Sequence, residues 1–239
     1  VSRMKAVVKE SAAPGLKLAD VAIPSAGPDD VLVRVLATSI CGTDLHILNW
    51  DAWAQSQMKP PVVVGHEFAG EVVETGARVT RLKKGDRVAV ESHVPCGACP
   101  QCGNGRRHIC DNLKIIGVHR DGSFAPFIAV PEVCAWKHSS GLAPEIATLM
   151  EPMGNAVHAV SEAGVKGRAV AVFGCGPAGL FAINCAKALD AAAIFAIDVN
   201  ANRLALAKAM GASESFNGAD PDLAATLAKR GGGHGIDVA

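Results

Sequence analysis

The chain has 239 residues, of which 49% are hydrophobic and 19% charged. That is globular composition, long enough for one large domain or two ordinary ones, and it excludes intrinsic disorder. Lys plus Arg is 23 and Asp plus Glu is 23, so the formal net charge is zero; that argues against a protein built to hold nucleic acid or a membrane surface, which needs a basic face. The most apolar stretch, Ala169 to Ile183, is short and broken by Gly174, Gly176, Pro177 and Gly179, so no membrane span is expected. The opening residues VSRMKAVVKE carry no apolar secretory region, and Met4 is a candidate natural start. Of eight cysteines, four form one tight cluster, which points to metal-bound thiolates in a reducing cytoplasm and away from disulfides.

Taken in chain order, the first half reads as short strands. Lys5 to Val8, Val31 to Val35, Val62 to Val64, Gly70 to Glu74, Arg87 to Glu91 and Phe124 to Val130 are rich in β-branched and apolar residues. Turn residues separate them at Gly27-Pro28, Gly76, Gly85-Asp86, Asp121-Gly122 and Pro131, and such spacing predicts a barrel-like all-β domain. Near Pro144 alanine becomes common and helical spacing begins. Ala169 to Phe173 is a continuous apolar run, as for a strand buried on both faces. Helices are predicted over Leu180 to Leu189, Asn202 to Met210 and Asp222 to Lys229. Strands are predicted over Ile194 to Ile197 and Glu214 to Phe216, with a fourth starting at Ile236 to Val238. This alternation is a βαβ series. Gly231-Gly232-Gly233 reads as a flexible turn. The boundary is placed so that residues 1–155 form the first domain and 156–239 the second.

Cys96, Cys99, Cys102 and Cys110 form C-x2-C-x2-C-x7-C. Four thiolates from one loop suit a structural, tetrahedral zinc with no open position; an iron–sulfur cluster is the rival reading. Interspersed Gly, Pro, Gln and Asn are not core packing. A second constellation is Cys41-Gly42-Thr43-Asp44-Leu45-His46 followed by Gly65-His66-Glu67. A thiolate, an imidazole and a carboxylate from separate loops fit a zinc with an open fourth position, although either segment alone is weak. Further on, Gly174-Cys175-Gly176-Pro177-Ala178-Gly179 follows an apolar strand and opens a helix. That is the context in which a glycine loop receives a dinucleotide pyrophosphate. Asp198 ends the next strand about 20 residues on, where an acid holds the adenosine ribose and disfavours the extra phosphate of NADP. Arg203 nearby could accept such a phosphate.

Together C-G-T-D-x-H, G-H-E-x-x-G-x-V-x-x-x-G, G-D-R-V, the four cysteines and G-x-G-x-x-G resemble the zinc-dependent medium-chain alcohol dehydrogenases across essentially the whole chain. Within that family, Cys41 to Ala54 and Glu151 to His158 are similar to the branch that oxidises L-threonine to 2-amino-3-oxobutanoate. The resemblance implies an α/β protein with a GroES-like β-barrel catalytic domain and a Rossmann domain, a doubly wound parallel sheet. It implies one catalytic and one structural zinc ion, and NAD. By the same resemblance Cys41, His66 and Glu67 fall on metal positions, and Glu151 on a carboxylate that binds or tunes the metal; the two glutamates are not ranked. Thr43 and His46 fall on a proton relay, and Gly174, Gly176, Ala178, Gly179, Asp198 and Arg203 on cofactor contacts. His93 falls near the active site, where it shapes substrate choice or simply packs. Trp50 and Trp53 wall a pocket or pack. His158 is expected to pack on an apolar helix face. His108, His119, His138 and His234 are expected at a solvated surface, and Cys134, Cys175 and Cys185 as small apolar residues. The implied partners are L-threonine or a similar secondary alcohol and further copies in a homotetramer, with no nucleic acid and no membrane.

Two departures stand out. Phe124-Ala125-Pro126-Phe127 stands where the family often has Phe-Ala-Glu-Tyr. Family members also continue well past Ala239, so the Rossmann domain is expected to be C-terminally incomplete, and this chain, as a fragment, is expected to be unstable or inactive. Two alternatives remain: a polyol or other secondary-alcohol dehydrogenase, and a non-catalytic module that binds zinc and nucleotide.

Overall fold

The valine-rich runs of the first half pair as antiparallel strands, and the alanine-rich second half winds into a parallel sheet. The computed structural model describes residues 2–230 and 234–239; the triple glycine read above as a turn lies outside the described residues. The chain divides into two compact units, Val1–Glu151 and Pro152–Ala239. In chain order the elements are β1 (Arg3–Lys9), β2 (Lys17–Ala22), β3 (Asp30–Ser39), α1 (Gly42–Asn49), α2 (Ala52–Gln57), β4 (Val62–Val63), β5 (Glu67–Thr75), β6 (Arg87–Val90) and β7 (His93–Val94). Then come α3 (Pro100–Gly103), β8 (Lys114–Ile115), β9 (Phe127–Pro131), β10 (Ala135–Lys137), α4 (Pro144–Ala147) and α5 (Met150–Ala163). The second unit continues with β11 (Ala169–Phe173), α6 (Pro177–Ala188), β12 (Ala193–Asp198), α7 (Ala201–Met210), β13 (Glu214–Asn217) and α8 (Leu223–Ala228).

The first unit is built on a five-stranded sheet, β10-β6-β5-β3-β9, with smaller sheets β2-β1-β4 and β7-β8. Val31, Val33, Phe68, Val72, Val88, Val90 and Val130 form its core, each 1% exposed or less. Burying each such side chain contributes about 1.5–3 kcal/mol. Between β3 and β5 the register shifts twice, and the pairing ends with Ser39 opposite Glu67. That end carries the site described below.

In the second unit the parallel order is β11-β12-β13. Val238 bridges β11 in parallel on its free side, through Val170. The apolar strands serve two cores at once. Val170, Ile194 and Ala196 pack with Ile183, Ala186 and Ala207 on one face. Ala169, Ala171, Phe195 and Ile197 pack with Leu227 on the other. A strand covered on both faces has no use for polar alternation, which explains the unbroken apolar runs.

Two local expectations change, and three further elements are present. Strand β9 begins at Phe127, not Phe124. Phe124 instead donates its N–H to Val64 and accepts from Val7, and Pro126 offers its carbonyl to Val35. Strand β2 and helices α1 and α2 carry no strong periodic signal; β2 is an edge strand whose Leu18 is 70% exposed. His158 is exposed on α5 and does not pack in a core. No helix among the described residues is long and apolar enough to cross a membrane.

Candidate active site and metal centres

Antiparallel pairing of β3 with β5 joins two distant segments. Cys41 follows the end of β3 and is the residue that opens α1, with φ −94° and ψ 159°. Its backbone N–H donates to the Asp44 carboxylate at 2.9 Å, closing the first turn of the helix. His66 and Glu67 sit where β5 begins, and both are 6% exposed. Gly65 enters with φ +92°, and a Cβ there would lie 2.3 Å from the Phe124 ring, so only glycine fits. The ligand atoms of Cys41, His66 and Glu67 all lie within 4.8 Å of one another. Ser39 Oγ donates to Glu67 Oε2 at 2.6 Å.

Charge around the imidazole is unbalanced. Asp44 Oδ1 lies 3.7 Å from His66 Nδ1, and neither buried atom has a hydrogen-bond partner among the described residues. Burial raises the Asp44 carboxyl above the ordinary range, and burial does the same to Glu151. For His66 burial acts downward, but the Cys41 thiol and the Asp44 and Glu151 charges outweigh it, and the imidazole is raised overall. Three carboxylates and a thiol gathered about one imidazole fit a divalent cation, which neutralises the buried anions. Cys41, His66 and Glu67 are the residues that would hold it.

Around this cluster lie the other residues singled out in the sequence. Thr43 Oγ1 is 3.6 Å from Cys41 Sγ. His46, one helical turn on, is exposed; its Nδ1 bonds Asp51 Oδ2 and its ring centre lies 5.8 Å from that of Trp53. The bond from His46 holds the Asp51 carboxyl below the usual range. Ser92 Oγ donates to Glu151 Oε1 at 2.6 Å, and Ser92 Oγ also lies 3.3 Å from His93 Nδ1. His93 is therefore beside the cluster. Trp50 packs: the Lys9 ammonium, itself fully buried, lies 4.8 Å over its ring. His119 and His138 are half-buried rather than surface residues, accepting from the Ile115 N–H and contacting the Ser139 carbonyl respectively.

The four-cysteine lobe is a second centre. Cys96, Cys99, Cys102 and Cys110 bring their sulfurs within 4.8 Å of one another. Cys110 Sγ accepts backbone N–H groups of Cys96 at 3.2 Å and Asn112 at 3.4 Å. Backbone N–H groups of Ala98 and Cys99 pull Cys96 down to about 6, while burial pushes Cys102 up to about 12. Four sulfurs at this spacing would enclose a tetrahedral zinc.

In the second unit Gly174 has φ +90°, and Gly176 caps α6, so the helix N-terminus opens directly from the loop. Asp198 is 8% exposed at the end of β12. Its two oxygens accept the Cys175 N–H at 2.7 Å and the Asn200 N–H at 2.8 Å, bonds that hold its carboxyl below the usual range. Arg203 stands 3.8 Å away. Ala178 lies in the first turn of α6. Cys175 and Cys134 are buried and Cys185 half-buried.

Residues 27–140 match the alcohol dehydrogenase GroES-like domain, and residues 177–239 match the zinc-binding dehydrogenase family. An L-threonine 3-dehydrogenase from Bacillus velezensis is 47% identical over 237 residues, covering 99% of this chain and 68% of the relative. The chain belongs to the zinc-dependent medium-chain alcohol dehydrogenases. A zinc-binding dehydrogenase from Sinorhizobium meliloti 1021, solved bound to NADP, superposes with TM-score 0.87 at 37% identity, covering 98% of this chain and 67% of that one. The 2R,3R-butanediol dehydrogenase from Bacillus subtilis gives TM-score 0.84 at 31% identity, covering 96% and 67%. As in this family, the chain joins a GroES-like unit to a Rossmann unit, and it spans about two thirds of the length of these relatives.

Four residues of the dehydrogenase site carried no separate signal in the sequence: Asp44, Ser39, Ser92 and Asp51. Asp44 sits inside the quoted motif, so its place three residues into a helix could have marked it as a cap. The two serines could not have been found, because each meets its glutamate only through strand register or packing.

Proposed function

We propose that this chain oxidises a secondary alcohol to a ketone with NAD, and that the substrate is L-threonine, giving 2-amino-3-oxobutanoate. The convergence of Cys41, His66 and Glu67 in a buried, anion-rich cluster carries this reading. The threonine assignment is supported by similarity to the L-threonine 3-dehydrogenase of B. velezensis. Zinc held by these residues would supply Lewis acidity that lowers the pKa of the substrate hydroxyl, and NAD would take the hydride. The rest falls to the chain itself. Thr43 Oγ1 receives the substrate proton as its own passes to His46, whose exposed ring releases it to solvent. Asp51 holds that ring by Nδ1. The Gly174–Gly179 loop and the α6 N-terminus receive the pyrophosphate of NAD. Asp198, whose oxygens each keep a spare lone pair, receives the ribose hydroxyls. Cys96, Cys99, Cys102 and Cys110 hold a structural zinc, which fits a reducing cytoplasm. A homotetramer completes the proposal, and sedimentation velocity measures it directly.

The likeness to the butanediol dehydrogenase favours a second reading, oxidation of a small diol. The purified chain should contain two zincs, and a chain carried on to the full length of its relatives should form NADH with L-threonine. Turnover of 2,3-butanediol or sorbitol without turnover of threonine would replace the first reading with the second.

A further inference from the structure

Each glutamate of the metal cluster is held by a serine. Ser39 Oγ donates to Glu67 Oε2 and Ser92 Oγ to Glu151 Oε1, both at 2.6 Å. The two clamps differ in what they hold in place. Ser39 and Glu67 are register partners across β3 and β5, so the first bond keeps the carboxylate beside Cys41 and His66. Glu151 does not join that set of ligand atoms, although its charge acts on His66 and the Glu67 charge acts on it. Ser92 is 1% exposed and has a single hydrogen to give. That hydrogen goes to Glu151 Oε1, so none is left for a second acceptor. The contact between Ser92 Oγ and His93 Nδ1 at 3.3 Å then needs its hydrogen from the imidazole. A directed row results, from His93 Nδ1–H to Ser92 and from Ser92 O–H to Glu151.

We propose that Ser92 is a positioning residue that ranks the two carboxylates. It withholds Glu151 as an outer carboxylate, leaves Glu67 as the third metal ligand, and fixes His93 as the Nδ1–H tautomer. This inference rests on the reading of Cys41, His66 and Glu67 as a metal centre. A carboxylate that accepts a short O–H bond is a weaker donor to a metal, and removing that bond returns the lone pair it occupies.

The test compares the full chain with Ser92→Ala, Ser92→Thr, Glu151→Gln and the double variant Ser92→Ala/Glu151→Gln. Zinc affinity is measured by chelator competition, with the four-cysteine metal as internal reference. The His93 tautomer is read from its imidazole nitrogen shifts by NMR. Ser92→Ala should tighten zinc at the first centre by about tenfold, the scale on which residues around a metal site act. The gain should vanish in the double variant, and Ser92→Thr, which keeps the hydroxyl, should match the parent. His93 should read as Nδ1–H in the parent and in Ser92→Thr, and as Nε2–H in Ser92→Ala. Unchanged or weakened zinc binding in Ser92→Ala overturns the proposal, and so does an Nε2–H His93 in the parent. A parent chain that binds zinc only at the four cysteines sinks the metal-centre reading and this ranking with it. An Nε2–H His93 in a chain with both metals sinks the Ser92 assignment alone.

Discussion

Two glycines of the nucleotide loop, three positions apart, should respond to the same substitution in opposite ways. A Cβ on Gly179 would lie 1.9 Å from the Gly174 carbonyl oxygen and 3.4 Å from Val172 Cγ1. The nearer obstacle is backbone, so relief requires the strand-to-helix turn to open by roughly 1.5 Å to reach ordinary contact. Overpacking on that scale costs about 3 kcal/mol. For a unit of this size each kcal/mol moves Tm by about 4–8 °C, so Gly179→Ala should lower it by about 12–24 °C. Gly176 is different. Its φ of −71° suits any residue, and a Cβ there meets nothing within 4 Å. Gly176→Ala should leave stability within about 0.5 kcal/mol of the parent. Its methyl group nevertheless stands at the mouth of α6, where the pyrophosphate must approach the backbone. NAD affinity should fall by about tenfold or more, the size of about 1.4 kcal/mol. Calorimetry and equilibrium titration with NAD separate the two effects. A Gly179→Ala chain melting like the parent refutes the close approach; a Gly176→Ala chain binding NAD like the parent refutes the cradle.

Further outcomes concern metal, pH and packing. Cys41→Ser should lose the first metal and keep the second, whereas Cys102→Ser should do the reverse; metal analysis after gel filtration reads both. Asp86 is bonded to Lys137 at 2.7 Å and to the Lys83 N–H at 3.0 Å, which holds its carboxyl below the usual range, the lysine first. Its contribution is therefore complete above the unfolded pKa of about 3.9 and is lost as pH falls through the lower folded value. Asp86→Asn should melt several degrees below the parent at pH 7, and the gap should close in acid; a gap that persists at pH 2 contradicts the linkage. Phe195, 2% exposed and 6.2 Å from the Phe216 ring, anchors one face of the parallel sheet. Phe195→Ala should cost about 3–5 kcal/mol by urea unfolding.

Much of this molecule was legible before any coordinates. The four cysteines and the glycine loop are local: their partners lie within a few residues, so spacing and composition alone predict their geometry. The apolar runs at Ala169–Phe173 and Ile194–Ile197 announced strands covered on both faces, because such strands have no solvent side to mark. Short helices α1 and α2 escaped notice, since six to eight residues hold too little periodicity to stand out. His158 lies on an apolar helix face and is nevertheless exposed, because helical spacing marks a face without fixing how deeply each residue on it is buried.

What tertiary structure alone decided is which side chains hold the reactive ones. Ser39 meets Glu67 across 28 positions and Ser92 meets Glu151 across 59. The first depends on where the β3–β5 pairing ends, and a single-residue slip there would turn the side chains to the opposite face; the second joins the segment between β6 and β7 to the first turn of α5. The amino-acid order specified the chemical groups and their local loops, because covalent connection keeps those atoms close whatever the rest does. Strand register and core packing chose their neighbours, because free energy summed over the whole core, and no short segment, selects that register.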